Sequence, residues 1–202
     1  MEQKFANLIS VLFHPVLIPT YMLVVLLNSG YFYTFGFSGE VKLYLIAFVF
    51  IMTCLIPASL MFVLKKTGII KTIRMNDRQE RMIPIAITSV IYYITYYALS
   101  KTGILSVYNL FLLGITVLSL FSLLINFSTK ISLHMIAMGG ITGALLGFML
   151  NFPVDAAVSV YLFFLLSGLV GYARLTVSNH TLRQVYNGFM LGFVVMLALF
   201  VI

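Results

Sequence analysis

The chain has 202 residues, of which 62% are hydrophobic and only 8% are charged, with a net charge of +7. Soluble domains carry about 25% charged residues, so the composition excludes a soluble globular protein and predicts an all-α, polytopic transmembrane bundle. The basic residues lie in short connections and form no face long enough to follow a phosphate backbone, so we expect no nucleic-acid partner. We expect a single integral membrane domain over residues 1–202, embedded in the lipid bilayer.

Seven apolar segments are long enough to cross a bilayer of about 30 Å as helices, which requires about 20 residues each. In chain order they are 8–29, 42–64, 83–100, 104–126, 132–150, 155–173 and 182–201. Thr67-Gly68 is predicted to end the second span. Segment 83–100 is short and rich in tyrosine, so six spans are the alternative to seven.

An odd number of spans divides the connections unequally between two faces. One face receives ten basic residues, namely Lys4, Lys65, Lys66, Lys71, Arg74, Arg78, Arg81, Lys130, Arg174 and Arg183. The other face receives only Lys42 and Lys101. The three histidines, His14, His134 and His180, also belong to the basic face. We therefore expect an anion-binding site there. The positive-inside rule puts this face in the cytoplasm, as for a bacterial inner-membrane protein, and the C-terminus opposite.

The last apolar helix begins with polar side chains. Ser178 or Asn179 is predicted to cap it, which puts His180 in the first turn near free N–H groups and the positive dipole end. Gln184 lies four residues after His180, on the same face, where it can accept a hydrogen bond from the imidazole. Arg174 precedes His180 by six residues. Polar groups are costly at a membrane boundary and indicate a functional site. The alternative is an interfacial histidine with snorkelling arginines.

A second group of basic residues lies in the connection after the second span. Arg74, Arg78 and Arg81 are spaced by four and three residues and would share one face of a helical turn. Guanidinium groups present a planar fork of donors that matches phosphate oxygens. The alternative is a solvated connection in which Asp77 and Glu80 pair with these arginines.

A third stretch opens the fifth span. Ser132 is predicted to cap the helix there, and His134 falls in its first turns. Small residues with helical spacing predict close helix packing in this span and in the last one; they are Gly140, Gly143, Ala144, Gly147, Gly188 and Gly192. His14, which precedes Pro15 in the first span, is expected to be structural, so that His14→Ala retains most of any activity.

Together the three stretches resemble the signature of the type-2 phosphatidate phosphatase superfamily, which includes acid phosphatases and vanadium haloperoxidases. The third block of that family is Ser-Arg, five residues, His, three residues, Asp and then a glycine. Arg174, His180 and Gly188 match this block. Ala173 replaces the Ser and Gln184 replaces the Asp.

The other two blocks resemble the family less closely. The second, Pro-Ser-Gly-His, retains Ser132 and His134. The first, Lys, six residues and Arg-Pro, is approached by the spacing from Arg74 to Arg81 and from Lys71 to Arg78.

The resemblance implies a cofactor-free, metal-independent hydrolase that acts on a phospholipid or polyprenyl (di)phosphate. His180 would attack phosphorus and form a phosphohistidine. His134 would protonate the leaving group and help to activate water, while Gln184 would orient His180. The phosphate oxygens would be held by Arg74, Arg78, Arg81, Arg174, Ser132 and Lys71. Many bacterial relatives work on the periplasmic face, in contrast to the positive-inside count.

Two other classes of protein fit part of the pattern. A catalytically inactive lipid-headgroup binder or transporter would use the same basic face, and the neutral Gln184 favours it. An intramembrane prenyltransferase needs acidic clusters that hold magnesium on a diphosphate. Asp77 and Glu80 are the only acids in their connection, and the second cluster is absent. Phosphate release in the presence of a chelator distinguishes the three classes.

Overall fold

The computed structural model describes residues 1–29, 37–72, 77–103, 106–152, 156–177 and 180–201. Within these ranges the chain forms helices and no strand, which confirms the all-α class. The helices are α1 (Glu2–Leu12), α2 (Ile18–Asn28), α3 (Gly39–Phe50), α4 (Ile56–Lys66), α5 (Arg78–Ser100), α6 (Ser106–Ser128), α7 (Leu133–Asn151), α8 (Ala157–Val177) and α9 (Leu182–Val201). Seven segments of the described chain are long and apolar enough to cross a membrane, with α1–α2 and α3–α4 each counted once. The seven predicted spans are therefore confirmed.

The first span is broken into two helices, and the second contains a π-helical turn. After α1, His14 has an extended backbone with φ −65° and ψ 138°, and a 3-10 turn, Pro15–Leu17, leads into α2. Proline lacks the N–H that a continuous helix requires, and its fixed φ suits the first position of a new turn. A π-helical turn, Ile51–Leu55, joins α3 to α4 immediately before Pro57. The first span therefore begins earlier than predicted, at Glu2, and is not one straight helix.

The connection between α4 and α5 is shorter than the sequence suggested. Gly68 follows α4 with φ +78°, a left-handed conformation that glycine adopts without strain, as expected for a stop at Thr67-Gly68. Asp77 then caps α5 by accepting a hydrogen bond from the Gln79 N–H at 3.2 Å. Helix α5 consequently begins at Arg78 rather than at residue 83.

Helices α7 and α9 run side by side in the same direction. At their starts, the Ser132 N–H donates to the Gln184 carbonyl oxygen at 3.4 Å. At their ends, the Asn151 side-chain amide donates to the Phe200 carbonyl oxygen. The first turns of both helices therefore lie at the same end of the bundle.

Glycines bring α7 and α9 into backbone contact. A Cβ on Gly192 would lie 2.7 Å from the Gly140 nitrogen, and one on Gly188 would lie 2.8 Å from the Ser132 carbonyl oxygen. Real Cβ atoms do not approach backbone this closely, so only glycine fits at these positions. The predicted close packing of small residues is confirmed, and it fixes the distance between the starts of the two helices.

Candidate functional site

Five basic side chains from four helices and their connections lie at the end of the bundle where α7 and α9 begin. His134 is in the first turn of α7, Arg81 is in the first turn of α5, and Arg174 is in the last turn of α8. His180 lies two residues before α9 and interacts electrostatically with Arg81, Arg174 and Lys130. His134 interacts electrostatically with Arg174 and His180. We call these five residues the basic cluster.

The start of α9 is a reciprocal capping box that differs from the predicted cap. The Gln184 N–H donates to Thr181 Oγ1 at 3.3 Å, and the Thr181 N–H donates to Gln184 Oε1 at 3.3 Å. Thr-x-x-Gln is the sequence form of this cap. The predicted caps, Ser178 and Asn179, lie outside the described residues. Because Thr181 is the cap, His180 precedes the helix and is not in its first turn.

The same glutamine fixes the tautomer of His180. Gln184 Oε1 lies 3.0 Å from His180 Nδ1. A backbone N–H can only donate, so the Gln184 atom that meets the Thr181 N–H is the amide oxygen. An oxygen that accepts at this position requires a proton on His180 Nδ1. In the neutral ring the lone pair is therefore on Nε2, the nitrogen available for nucleophilic attack.

His180 is neutral at physiological pH. Partial burial is the main cause that lowers the pKa of its imidazole, from 6.5 to about 4. The hydrogen bond with Gln184 raises this pKa, but the positive charges of Arg81, Arg174 and Lys130 lower it further. A neutral imidazole among cations is suited to attack an anionic centre that those cations hold.

His134 is held by the first span. Its Nε2 lies 3.0 Å from the Ser10 carbonyl oxygen, and its ring packs against the ring of His14 with centroids 5.2 Å apart at 82°. Arg174 lies within electrostatic range of His14 as well as of His134 and His180. The three histidines of the chain therefore lie close to one another. The sequence favoured a structural role for His14. The feature that could have indicated its proximity to the other two histidines was its position on the basic face at a helix break.

Ser132 has a hydroxyl group without a partner. The residue occupies the predicted N-cap position of α7, and its carbonyl oxygen accepts from the Met135 and Ile136 N–H groups at 3.1 and 3.0 Å. Its hydroxyl makes no capping bond, is 0% exposed and has no hydrogen-bond partner among the described residues. A buried hydroxyl in this state is costly, and this one lies between the starts of α7 and α9.

A cleft of about 520 Å³ opens beside the basic cluster, between the end of α6 and the start of α9. Lys130 and Arg183 supply its positive charges. Its apolar lining includes Ile125 and Leu191. Gln184 also lines the cleft, so the cleft leads to the residue that holds His180.

The arginines predicted to share one face have different contacts. The Arg78 guanidinium donates to the Ser128 carbonyl oxygen at 2.7 Å and so joins α5 to the end of α6. Arg81, one turn later, belongs to the basic cluster. Lys71 is exposed in the connection after α4. Arg74 lies outside the described residues.

Two further observations bear on the function of the basic cluster. Across the described ranges, no group of three or more His, Cys, Asp or Glu side chains could hold a metal ion. Comparisons with protein-family models, with curated proteins and with solved structures found no match for the chain. Its function is therefore inferred from the geometry of the basic cluster and from its motifs.

Proposed function

We propose that the chain is an integral membrane phosphatase that hydrolyses a phospholipid or polyprenyl (di)phosphate, without a metal ion, through a phosphohistidine. One observation carries this proposal. His180 is neutral, has its proton fixed on Nδ1 by Gln184, and interacts with the charges of Arg81, Arg174 and Lys130. A histidine that attacks a phosphate ester must be unprotonated and fixed in orientation, and nearby cations must stabilise the transferring group.

In the first step, the lone pair of His180 Nε2 attacks phosphorus and the bond to the leaving oxygen breaks. The guanidinium groups of Arg81 and Arg174 bind the equatorial phosphate oxygens, where negative charge accumulates. Ser132 contributes its unpartnered hydroxyl to the same group. The positive charge that develops on the imidazole is compensated only by the neutral Gln184 oxygen, so formation of the phosphohistidine is the demanding step.

His134 transfers protons in both steps. Its Nε2–H donates to the Ser10 carbonyl, so Nδ1 is the nitrogen that exchanges protons with the substrate. The fraction of His134 that carries protons on both nitrogens gives its Nδ1 proton to the leaving oxygen, and the neutral ring then accepts a proton from the attacking water. Water cleaves the phosphohistidine, releases inorganic phosphate and regenerates neutral His180.

A lipid is the substrate class that fits the cleft beside the cluster. Lys130 and Arg183 complement a phosphate, and Ile125 and Leu191 complement a hydrocarbon chain. A helical bundle of this hydropathy belongs in an inner rather than an outer bacterial membrane, since outer-membrane spanning proteins are closed β-barrels. We therefore propose the inner membrane of a bacterium as the location of the protein.

The test is phosphate release by the purified protein in lipid nanodiscs, with EDTA present throughout. Phosphatidate, phosphatidylglycerol phosphate and a polyprenyl diphosphate are supplied in turn. The wild type is expected to release phosphate from at least one of them and to form an acid-labile, base-stable phosphoprotein. His180→Ala should abolish both signals. Release by His180→Ala at the wild-type rate would refute the proposal.

The second candidate is a lipid-headgroup binder or transporter without hydrolysis. The observation that favours it is that Gln184, which stands where the phosphatase family has a carboxylate, is already engaged in the cap of α9. The same lipids, assayed for binding by native mass spectrometry, distinguish the two candidates. A binder retains the phospholipid intact and releases no phosphate under any condition.

A further inference from the structure

We propose that His14 is a positioning residue of this site. Its ring, together with the Ser10 carbonyl, holds the imidazole of His134 in one orientation and one tautomer. The catalytic consequence rests on the proposed phosphatase function. The effect on the tautomer of His134 is measurable without turnover, so the two proposals can fail separately.

The contacts on His134 come from two sides. A carbonyl oxygen only accepts hydrogen bonds, so the 3.0 Å contact from Ser10 requires a proton on His134 Nε2. The neutral ring then has its lone pair on Nδ1. The ring of His14 meets that of His134 at 82° with a centroid separation of 5.2 Å, an edge-to-face arrangement that aromatic pairs favour.

The break in the first span delivers both contacts. Ser10 is in the last turn of α1 and is buried against the bundle. His14, four residues later, leaves the helix with an extended backbone before Pro15. The Tyr21 hydroxyl donates to the Leu12 carbonyl oxygen at 2.7 Å and stabilises the break from the side of α2. A continuous helix would not bring the Ser10 carbonyl and the His14 ring to one imidazole, because the carbonyl would be used within the helix.

The ring contact matters because the last torsion of a histidine side chain is broad and roughly two-fold. A half-turn of this torsion exchanges Nδ1 with Cδ2 and Nε2 with Cε1, so both nitrogens of His134 would move away from their positions. The turn breaks the Ser10 bond, because Cε1 then faces the carbonyl oxygen, and the turned ring is no longer held to one tautomer. The His14 ring, packed edge-to-face against that of His134, hinders the turn. A general acid must present the same nitrogen to the substrate in each cycle, so loss of the His14 ring should lower kcat more than it changes KM.

The direct test is nitrogen NMR of protein labelled with ¹⁵N-histidine in nanodiscs. The chain has three histidines, so the spectrum contains three imidazoles, and His134→Asn identifies the one that matters. At neutral pH the wild type should show His134 as a single tautomer with a protonated Nε2. His14→Ala should show both tautomers, and His14→Phe should restore the single one. A single, unchanged tautomer in His14→Ala would overturn the proposal.

Two variants serve as controls for this test. Tyr21→Phe removes the hydrogen bond to Leu12 at the same break but leaves the His14 ring in place, so the signal of His134 should remain that of the wild type. A second tautomer of His134 in His14→Phe would show that ring packing is not what fixes it.

The effect on kcat and KM is measured with the substrate that the wild type hydrolyses. His14→Ala should lower kcat about tenfold, the lower end of the loss found for orienting partners, with KM within about twofold. His14→Phe should retain most of kcat. An equal loss in both variants would mean that the imidazole of His14 takes part in the chemistry, which contradicts a positioning role. If the wild type itself releases no phosphate, the phosphatase proposal fails, while the NMR result still decides the role of His14.

Discussion

Replacing Gln184 with Glu introduces a negative charge next to His180 with almost no change in shape. The Gln184 oxygen lies 3.0 Å from His180 Nδ1 and also accepts from the Thr181 N–H. Glutamate fits the same capping box, so α9 should keep its start. The substitution therefore isolates the effect of charge on the imidazole.

The expected shift follows from the geometry. Opposite charges about 4 Å apart attract by about 4 kcal/mol at an effective dielectric constant of about 20, which corresponds to about 3 pKa units. His180 is only partly buried, so solvent screening reduces this effect by roughly half. The pKa of His180, about 4 in the wild type, should therefore rise by about 1–2 units in Gln184→Glu.

The pH profile of kcat/KM measures this shift. Attack requires neutral His180, so wild-type activity should persist as the pH falls from 7 and decline only near pH 4. In Gln184→Glu the decline should begin about 1–2 pH units higher. At pH 7 its kcat should equal or exceed that of the wild type, since a carboxylate stabilises the positive charge on the phosphohistidine.

Two further substitutions at this position serve as controls. Gln184→Leu removes both hydrogen bonds and should lower kcat roughly 10–100-fold. From sequence alone Gln184→Asp would keep or raise activity, but its carboxylate is one methylene shorter than the side chain that contacts both His180 and Thr181. We therefore expect Gln184→Asp to be less active than Gln184→Glu. An acid limb that stays near pH 4 in Gln184→Glu would refute the assignment of that limb to His180.

Three other predictions follow from particular contacts. Gly192→Ala should destabilise the bundle by about 1–3 kcal/mol, because the added Cβ would meet the backbone of α7. Gly168→Ala should not destabilise it, because no atom lies within 4 Å of a Cβ added there. Thermal unfolding in detergent compares the two variants. Arg81→Ala should lower phosphate release at least tenfold. Arg78→Ala should mainly lower the melting temperature, because the Arg78 guanidinium donates to the end of α6. A larger loss of phosphate release in Arg78→Ala than in Arg81→Ala would contradict these roles. EDTA should leave the rate of phosphate release unchanged, and a rate that falls with EDTA and returns with magnesium would contradict a metal-independent reaction.

The sequence by itself determined the spans. A helix that crosses a bilayer must be long and apolar, because its backbone hydrogen bonds are made within the helix and its surface meets lipid. Both requirements are local, so the ends of the seven spans could be located to within six residues. The contact of Gly188 and Gly192 with another helix was predictable for the same reason, since only small residues allow backbones to meet.

Part of the candidate site was also predictable. The spacing of His180 and Gln184 is a property of one chain segment, and their hydrogen bond lies where that spacing indicates. The cap at the start of α9 was harder to predict. The sequence predicted Ser178 or Asn179 as the cap of α9, whereas Thr181 forms the capping box with Gln184.

Only the tertiary structure decided which basic residues meet. Arg78 and Arg81 lie on one helical turn, but the end of α6 accepts a hydrogen bond from Arg78, which leaves Arg81 to interact with His180. The proximity of His14 to His134 joins residues 120 positions apart. It depends on a break in the first span and on the packing of that break against α7. Such contacts are set by how the helices pack against each other, and helices with apolar surfaces all round give no sequence pattern from which that packing can be read.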